Sequence, residues 1–249
     1  MSQPPVTYAA QSPLTLYCLP CAGGSAAMYY RWRRALAPQI ELVPVELPGR
    51  GSRIGEDFVR DFNVLVSHLA DMLSAELAPR YALFGHSMGT LLAYGLCREM
   101  QQRGLPAPQA LLMSAGKAPS KRDTDRFLHL QSDAELIADL QRQGGTPAAL
   151  FDEPELLRMA VDTLAADYQV CGSFAYAGSA GLACPLHVLA GREDEITEAE
   201  LQAWAAESSG PMQLNWFDGG HFYLKGEEQA VLALIRQQLL PDALHRLSA

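Results

Sequence analysis

Residues 81–100 read YALFGHSMGTLLAYGLCREM. A compact apolar run, 81–85, meets a glycine and serine turn. The segment after it carries Met88, Leu91, Leu92, Leu96 and Met100 as one helical stripe. A short, unbroken apolar run bounded by turn residues reads as a buried strand. A strand that feeds straight into a covering helix is the building unit of a parallel sheet.

The same rhythm recurs along the chain. Strands are expected at 14–20, 40–49, 81–85, 110–116, 185–191 and 213–217, with Pro44 marking an edge or an irregular place. Helices are expected at 62–77, 88–100, 198–207 and 227–240, the first with Phe62, Leu65, Val66, Leu69 and Leu73 on one face. Gly104 and Pro106 stop the helix that begins at 88. The rhythm breaks from about 119 to 183. No strand run occurs there, and two amphipathic helices, near 133–142 and 154–169, flank the turn GGTP at 144–147. A helical block of that size between two strands reads as a lid over the sheet. The expectation is one α/β domain over residues 1–249, a mostly parallel sheet with helices on both faces and a helical lid at about 119–183.

Composition narrows the function. The chain has 249 residues, 49% hydrophobic and 19% charged, enough for a substantial core. Its net charge of −9 argues against a nucleic-acid partner. MSQPPVTYAA has neither the basic nor the apolar region of a signal peptide, and no run is long enough to span a membrane, so a cytoplasmic protein is expected. A monomer is expected. The five cysteines are Cys18, Cys21, Cys97, Cys171 and Cys184. Cys18 and Cys21 have C-x-x-C spacing, but no second cluster completes a zinc site, so no metal is expected.

Gly85-His86-Ser87-Met88-Gly89 matches G-x-S-x-G. Alone, the pattern recurs by chance in about one chain in ten of this length. Between a buried strand and a helix it becomes the setting of a nucleophile elbow, where small neighbours let a serine sit on a tight turn. A serine nucleophile needs a base. Of the six histidines, His68 falls within a helix, His86 within the elbow and pointing away from the attack side, His129 at the lid, His187 in mid-strand and His245 in the tail. His221, in FDGGHFYL, follows a strand and two glycines, where α/β sheets place their sites. The base needs a carboxylate to orient it. LAGREDEIT offers Glu193, Asp194 and Glu195; Asp194 is the expected partner, and its neighbours read as solvated. Asp218 is near His221 in sequence, but the glycine turn is expected to carry it elsewhere. The order Ser, Asp, His is that of the α/β-hydrolases. The loop PCAGGSA after the first strand supplies room for a second oxyanion donor beside the Met88 N–H.

Together these segments resemble the type II thioesterases that accompany nonribosomal peptide and polyketide synthases. LPCAGGSA at 19–26 is similar to that family's Phe-Pro-His-Ala-Gly-Gly segment, and ELPGRGSR at 46–53 to its Pro-Gly-Arg segment. FGHSMGT, GGTP and GGHFYL resemble its nucleophile, lid and histidine motifs. Two positions depart from the pattern: Cys21 stands where histidine is common, and Glu195 where proline is common.

The resemblance implies an α/β-hydrolase fold and hydrolysis of acyl thioesters from the phosphopantetheine arm of carrier domains, in settings such as antibiotic or siderophore biosynthesis. It implies a triad of Ser87, Asp194 and His221, oxyanion donors at Ala22 and Met88, and no cofactor. Acylated carrier domains and small acyl thioesters would be the partners, with Arg50 or Arg53 as local contacts to an acidic carrier. Other readings stay open on the residues alone: a carboxylesterase or lipase, an acyltransferase, or a non-catalytic hydrolase-fold binding protein.

Overall fold

The computed structural model describes residues 13–240 except Gln131 and Ala180. The expectations for the N-terminal ten residues and for His245 lie outside them. Six strands form one sheet: β1 (Leu14–Leu19), β2 (Ile40–Pro44), β3 (Tyr81–His86), β4 (Leu111–Ser114), β5 (Leu186–Gly191) and β6 (Met212–Phe217). Every pairing is parallel, in the order β2-β1-β3-β4-β5-β6. β2 is an edge and ends at Pro44, shorter than the expected 40–49. After Val45 N–H donates to Cys18 O, Pro48 and Gly49 turn the chain off the ladder.

The four inner strands, β1, β3, β4 and β5, are buried on both faces because helices cover both. Helix α1 (Tyr30–Leu36) lies between β1 and β2, α2 (Phe62–Ser74) between β2 and β3, and α3 (Met88–Gln102) between β3 and β4. Side chains alternate between two cores, as the pleat requires. Tyr17, Leu19, Tyr81, Leu83, Leu111 and Met113 pack toward α2 and α3. Leu14, Leu16, Cys18, Ala82, Phe84 and Leu112 pack on the other face, with Trp32 and Leu36 of α1.

Between β4 and β5 the described residues hold helices rather than sheet strands. They are a 3-10 turn (Pro119–Lys121), α4 (Asp125–Leu128), α5 (Asp133–Gln143), a second 3-10 turn (Ala148–Asp152) and α6 (Pro154–Ser173). α4 is a third helix where two were expected; four residues are too few to show a period. α5 opens on a capping box, Ser132 with Glu135. Leu136, Leu140, Val161, Leu164 and Tyr168 form a separate small core in this insertion. Val170, Cys171 and Phe174, at the end of α6 and just beyond it, join the main core instead. α6 is thus rooted in the sheet layer at one end.

α7 (Glu198–Gln202) gives way to a 3-10 segment, Ala203–Glu207, where one helix over 198–207 was expected. The tighter winding accompanies burial of Trp204, whose indole N–H donates to Gly116 O at 2.8 Å. Helix α8 (Glu228–Leu239) follows β6 and turns Val231, Leu232, Ile235 and Leu239 into the core shared with α1. No helix among the described residues is long and apolar enough to cross a membrane.

Candidate active site

β1 and β3 are neighbours, yet their outgoing connections run to opposite sides, to β2 and β4. The chain therefore parts at their C-terminal ends and leaves a crevice, the place where open α/β sheets bind ligands. Ala22 follows β1 there, and Ser87 follows β3.

Ser87 has φ 56° and ψ −113°, a left-handed backbone that costs a non-glycine residue on the order of 1–3 kcal/mol. Its surroundings over-determine it. Ser87 N–H donates to Ser114 O at 2.8 Å, and Ser87 O accepts from Thr90 N–H at 3.1 Å and from Thr90 Oγ1 at 2.7 Å. The glycines on either side are required by space. A Cβ on Gly85 would lie 2.1 Å from Gly89 O, and one on Gly89 would lie 2.3 Å from Leu19 O. The turn can therefore press its backbone against β1 and still start α3 at once. Met88 is the first residue of that helix, whose N-terminus favours nearby negative charge.

His221 Nε2 lies 2.8 Å from Ser87 Oγ, and His221 Nδ1 lies 2.9 Å from Asp194 Oδ2. The Asp194 side chain is 5% exposed, so the contact is shielded from water. Two loops far apart in sequence are stitched together to achieve this. Glu193 N–H donates to Gly219 O and Arg192 N–H to Phe217 O. A Cβ on Gly191 would lie 2.4 Å from both Gly219 O and Gly220 O, so only glycine lets the loops after β5 and β6 touch. Glu195 is exposed and pairs with Arg142, and Asp218 is exposed and pairs with Arg192. Neither reaches the histidine contact. His68 lies beside Arg53, and His129 is exposed.

A buried polar chain that sequence reading missed supports this geometry. His86 Nδ1 is 2.9 Å from Ser114 Oγ, which is 2.6 Å from Tyr223 OH. The Tyr223 ring stacks on Phe217. Burial, with His221 nearby, holds the His86 pKa well below its ordinary value. His86 faces away from Ser87 Oγ into this chain, while its ring remains 5.5 Å from that of His221. His187, in mid-strand, is also buried, and burial lowers its pKa.

The loop after β1 is clamped from the insertion. Asp167 of α6 accepts from Gly23 N–H at 2.8 Å. It also takes a two-pronged pair from Arg50, at 2.6 and 2.7 Å, while Arg50 donates to Gly24 O at 3.2 Å. Asp167 is fully buried and Arg50 is 6% exposed. Burial raises the Asp167 pKa against the pull of Arg50. This corrects the expectation that Arg50 is a surface contact for a carrier. Arg53 is likewise engaged, its guanidinium forked on Glu56 at 2.6 and 2.5 Å. The C-x-x-C thiols separate: Cys18 packs in the core toward α1, and Cys21 Sγ rests 3.6 Å from Met28 Sδ. Burial, then Asp167, pushes Cys21 up to about 12, so it is a thiol rather than a thiolate at neutral pH.

Ala22, Ser87, Met88, Asp194 and His221 line one cavity of about 360 Å3 under the inserted helices. The turn between α5 and the second 3-10 segment packs against the loop that follows β6. Gly145 lies so near Phe222 that a Cβ there would meet the ring at 2.5 Å, and Lys225 Nζ donates to Gly145 O. A hydroxyl, an imidazole and a carboxylate in line, beside a helix N-terminus, can carry out acyl transfer.

Comparison with known proteins identifies the family. The thioesterase domain family model matches residues 14–239. Thioesterase PikA5 of Streptomyces venezuelae is 35% identical over 94% of this chain and 86% of its own length. The type II thioesterase BorB from the borrelidin biosynthetic cluster superposes with a TM-score of 0.84 at 40% identity, covering 93% of this chain and 94% of BorB. YbtT, the type II thioesterase from the yersiniabactin NRPS/PKS pathway, superposes at 0.79 with 29% identity, over 92% and 93%. The fold is that of the α/β-hydrolase thioesterases, and the chain belongs to the thioesterase family, alongside the type II enzymes of nonribosomal peptide and polyketide pathways.

Proposed function

We propose that this protein is an editing thioesterase in which Ser87 is the nucleophile, His221 its general base and Asp194 the group that orients the imidazole. The reading is carried by one observation: the chain Ser87 Oγ, His221, Asp194 at 2.8 and 2.9 Å, on a strained turn in the crevice. His221 Nε2 takes the Ser87 proton as Oγ attacks the thioester carbonyl. The oxyanion is held by the N–H groups of Ala22 and Met88, which border the same cavity. As the tetrahedral intermediate collapses, the C–S bond breaks and His221 returns the proton to the departing pantetheine sulfur. A water molecule, deprotonated by His221, then attacks the acyl-serine. Its collapse releases the carboxylic acid and restores Ser87. This chemistry calls on no metal and no organic cofactor.

The substrates on this reading are acyl groups stalled on the phosphopantetheine arm of carrier domains in a cytoplasmic synthase. Residues 119–183 act as the lid that shapes the acyl chamber. Oxygen esters would use the same groups, and family membership favours thioesters. Ser87→Ala protein should stay folded by circular dichroism and lose hydrolysis of acyl-loaded carrier protein. Turnover retained at more than a few per cent removes Ser87 from its role. Parallel rates on an oxygen ester of the same acyl group separate an esterase from a thioesterase.

A further inference from the structure

The wall of the cavity under the inserted helices is charged in an uneven way. Lys117, Arg122, Arg126 and Arg142 all border it. Lys117 pairs with Glu200 at 2.6 Å, and Arg142 pairs with Asp139 and Glu195. Arg126 lies over the Phe127 ring at 5.2 Å. Arg122 is different. Its Nε is buried with no hydrogen-bond partner. Its neighbours are the Cys171 thiol and the like charge of Arg126, and burial pulls its pKa down.

The acids of the same wall are otherwise engaged. Asp123 Oδ1 accepts from Asp125 N–H at the start of α4. Asp194 holds His221, Glu195 holds Arg142, and Glu193 is exposed. The Arg122 side chain is half-buried, its hydrogen-bond partner is the Cys171 thiol, and no carboxylate pairs with it among the described residues, so its charge is incompletely balanced. Proteins keep such groups where an incoming ligand completes them.

Depth in the cavity says which part of a ligand that is. Cys171 is buried in the main core, so the guanidinium beside it belongs to the inner wall. Arg142 and Glu195 are exposed and mark the outer rim. A carrier's arm enters from the rim, so the acyl group is what reaches inward.

We propose that Arg122 is a specificity-determining residue that receives a carboxylate at the far end of the acyl group, so that the enzyme favours monothioesters of short dicarboxylic acids. This rests on the hydrolase reading above. A guanidinium matches a carboxylate with two parallel N–H bonds, and such a pair strengthens toward the less hydrated inner end of a cavity.

The test compares carrier protein loaded with succinyl or butyryl groups, equal in backbone length and different in terminal charge. The ratio of kcat/KM, succinyl over butyryl, should exceed one in the wild type. It should fall at least tenfold in Arg122→Gln and less in Arg122→Lys, which keeps the charge. A folded Arg122→Gln protein whose ratio moves less than twofold overturns the proposal. So does an equal loss on both acyl groups that vanishes with N-acetylcysteamine thioesters, because these lack the arm's phosphate and would identify that phosphate as the ligand. If Arg122→Gln does not fold, product inhibition of the wild type decides. Succinate should inhibit at least tenfold more strongly than butyrate, and equal inhibition overturns the idea. Failure of the wild type to cleave either substrate defeats the hydrolase reading instead.

Discussion

Replacing Asp167 with alanine should destabilise the protein far more than an average substitution. The carboxylate is fully buried and serves three donors: both outer nitrogens of Arg50 and the N–H of Gly23. Asp167→Ala leaves a guanidinium stranded at 6% exposure, with its Nε already unpartnered. Breaking a buried pair by removing one member costs about 3–5 kcal/mol. That is a large share of the ~5–15 kcal/mol that holds a typical domain folded. Removing both charges is a different case. Arg50→Met with Asp167→Leu leaves no ion without a partner, and such replacements range from neutral to stabilising by about 1–4 kcal/mol. In a cycle of Asp167→Leu, Arg50→Met and the two together, the effects should therefore be strongly non-additive, with a coupling above ~2 kcal/mol. Urea unfolding gives the midpoints and slopes. Activity supplies a second axis. The double variant folds but no longer ties Gly23 to α6, so the loop that presents Ala22 is loosened. Its kcat should fall by about tenfold or more, short of the ~10²–10³ lost with a whole oxyanion donor. A cost for Asp167→Ala below 1 kcal/mol, or a coupling near zero, would refute the clamp. A double variant with unchanged kcat would refute its link to the oxyanion loop.

Two further outcomes follow from features of the site. Gly89→Ala drives a methyl to 2.3 Å from Leu19 O, so the elbow must shift; the protein should lose both stability and hydrolysis, measured by thermal unfolding and carrier turnover. His86 stays neutral in the folded state because burial depresses its pKa, whereas the unfolded chain protonates it below about pH 6.5. Its contribution is thus fully present above that pH and is lost as pH falls toward the folded value. The loss should approach ~1.4 kcal/mol per pH unit below 6. His86→Asn should flatten the slope of unfolding free energy against pH by about one proton, and an unchanged slope would show that His86 is not the titrating group.

The sequence made the sheet legible because parallel strands covered on both faces are continuous apolar runs, as in YALFG and PLHVLAG. Their ends were less so. β2 stops at Pro44 because a proline and a glycine soon follow, which the apolar content of residues 45–47 conceals. Ser87, Asp194 and His221 were readable because each sits just past a strand in a short glycine-bearing loop, and the structure brings them into contact. Arg50 was not readable. An arginine in a Pro-Gly-Arg loop resembles a solvated charge, and its partner lies 117 residues away on α6. Separation along the chain likewise hides Ser114 and Tyr223, whose contacts with His86 exist only once β3, β4 and the loop after β6 are assembled. Arg122 lies between a 3-10 turn and a four-residue helix, too short a stretch for any periodicity to say which way it faces.

The split allegiance of α6 defines a seam for redesign. Val161, Leu164 and Tyr168 build the small core with α5, and only the last turn, from Val170, belongs to the main core. Ser87 is braced from beneath by Ser114 O, while Ser114 Oγ joins His86 to Tyr223, without help from α4 or α5. Acyl preference and catalytic register are therefore separable inheritances. A chimera that exchanges residues 122–160 keeps Asp167 and the lower framework, and transplants the proposed substrate filter, Arg122 included.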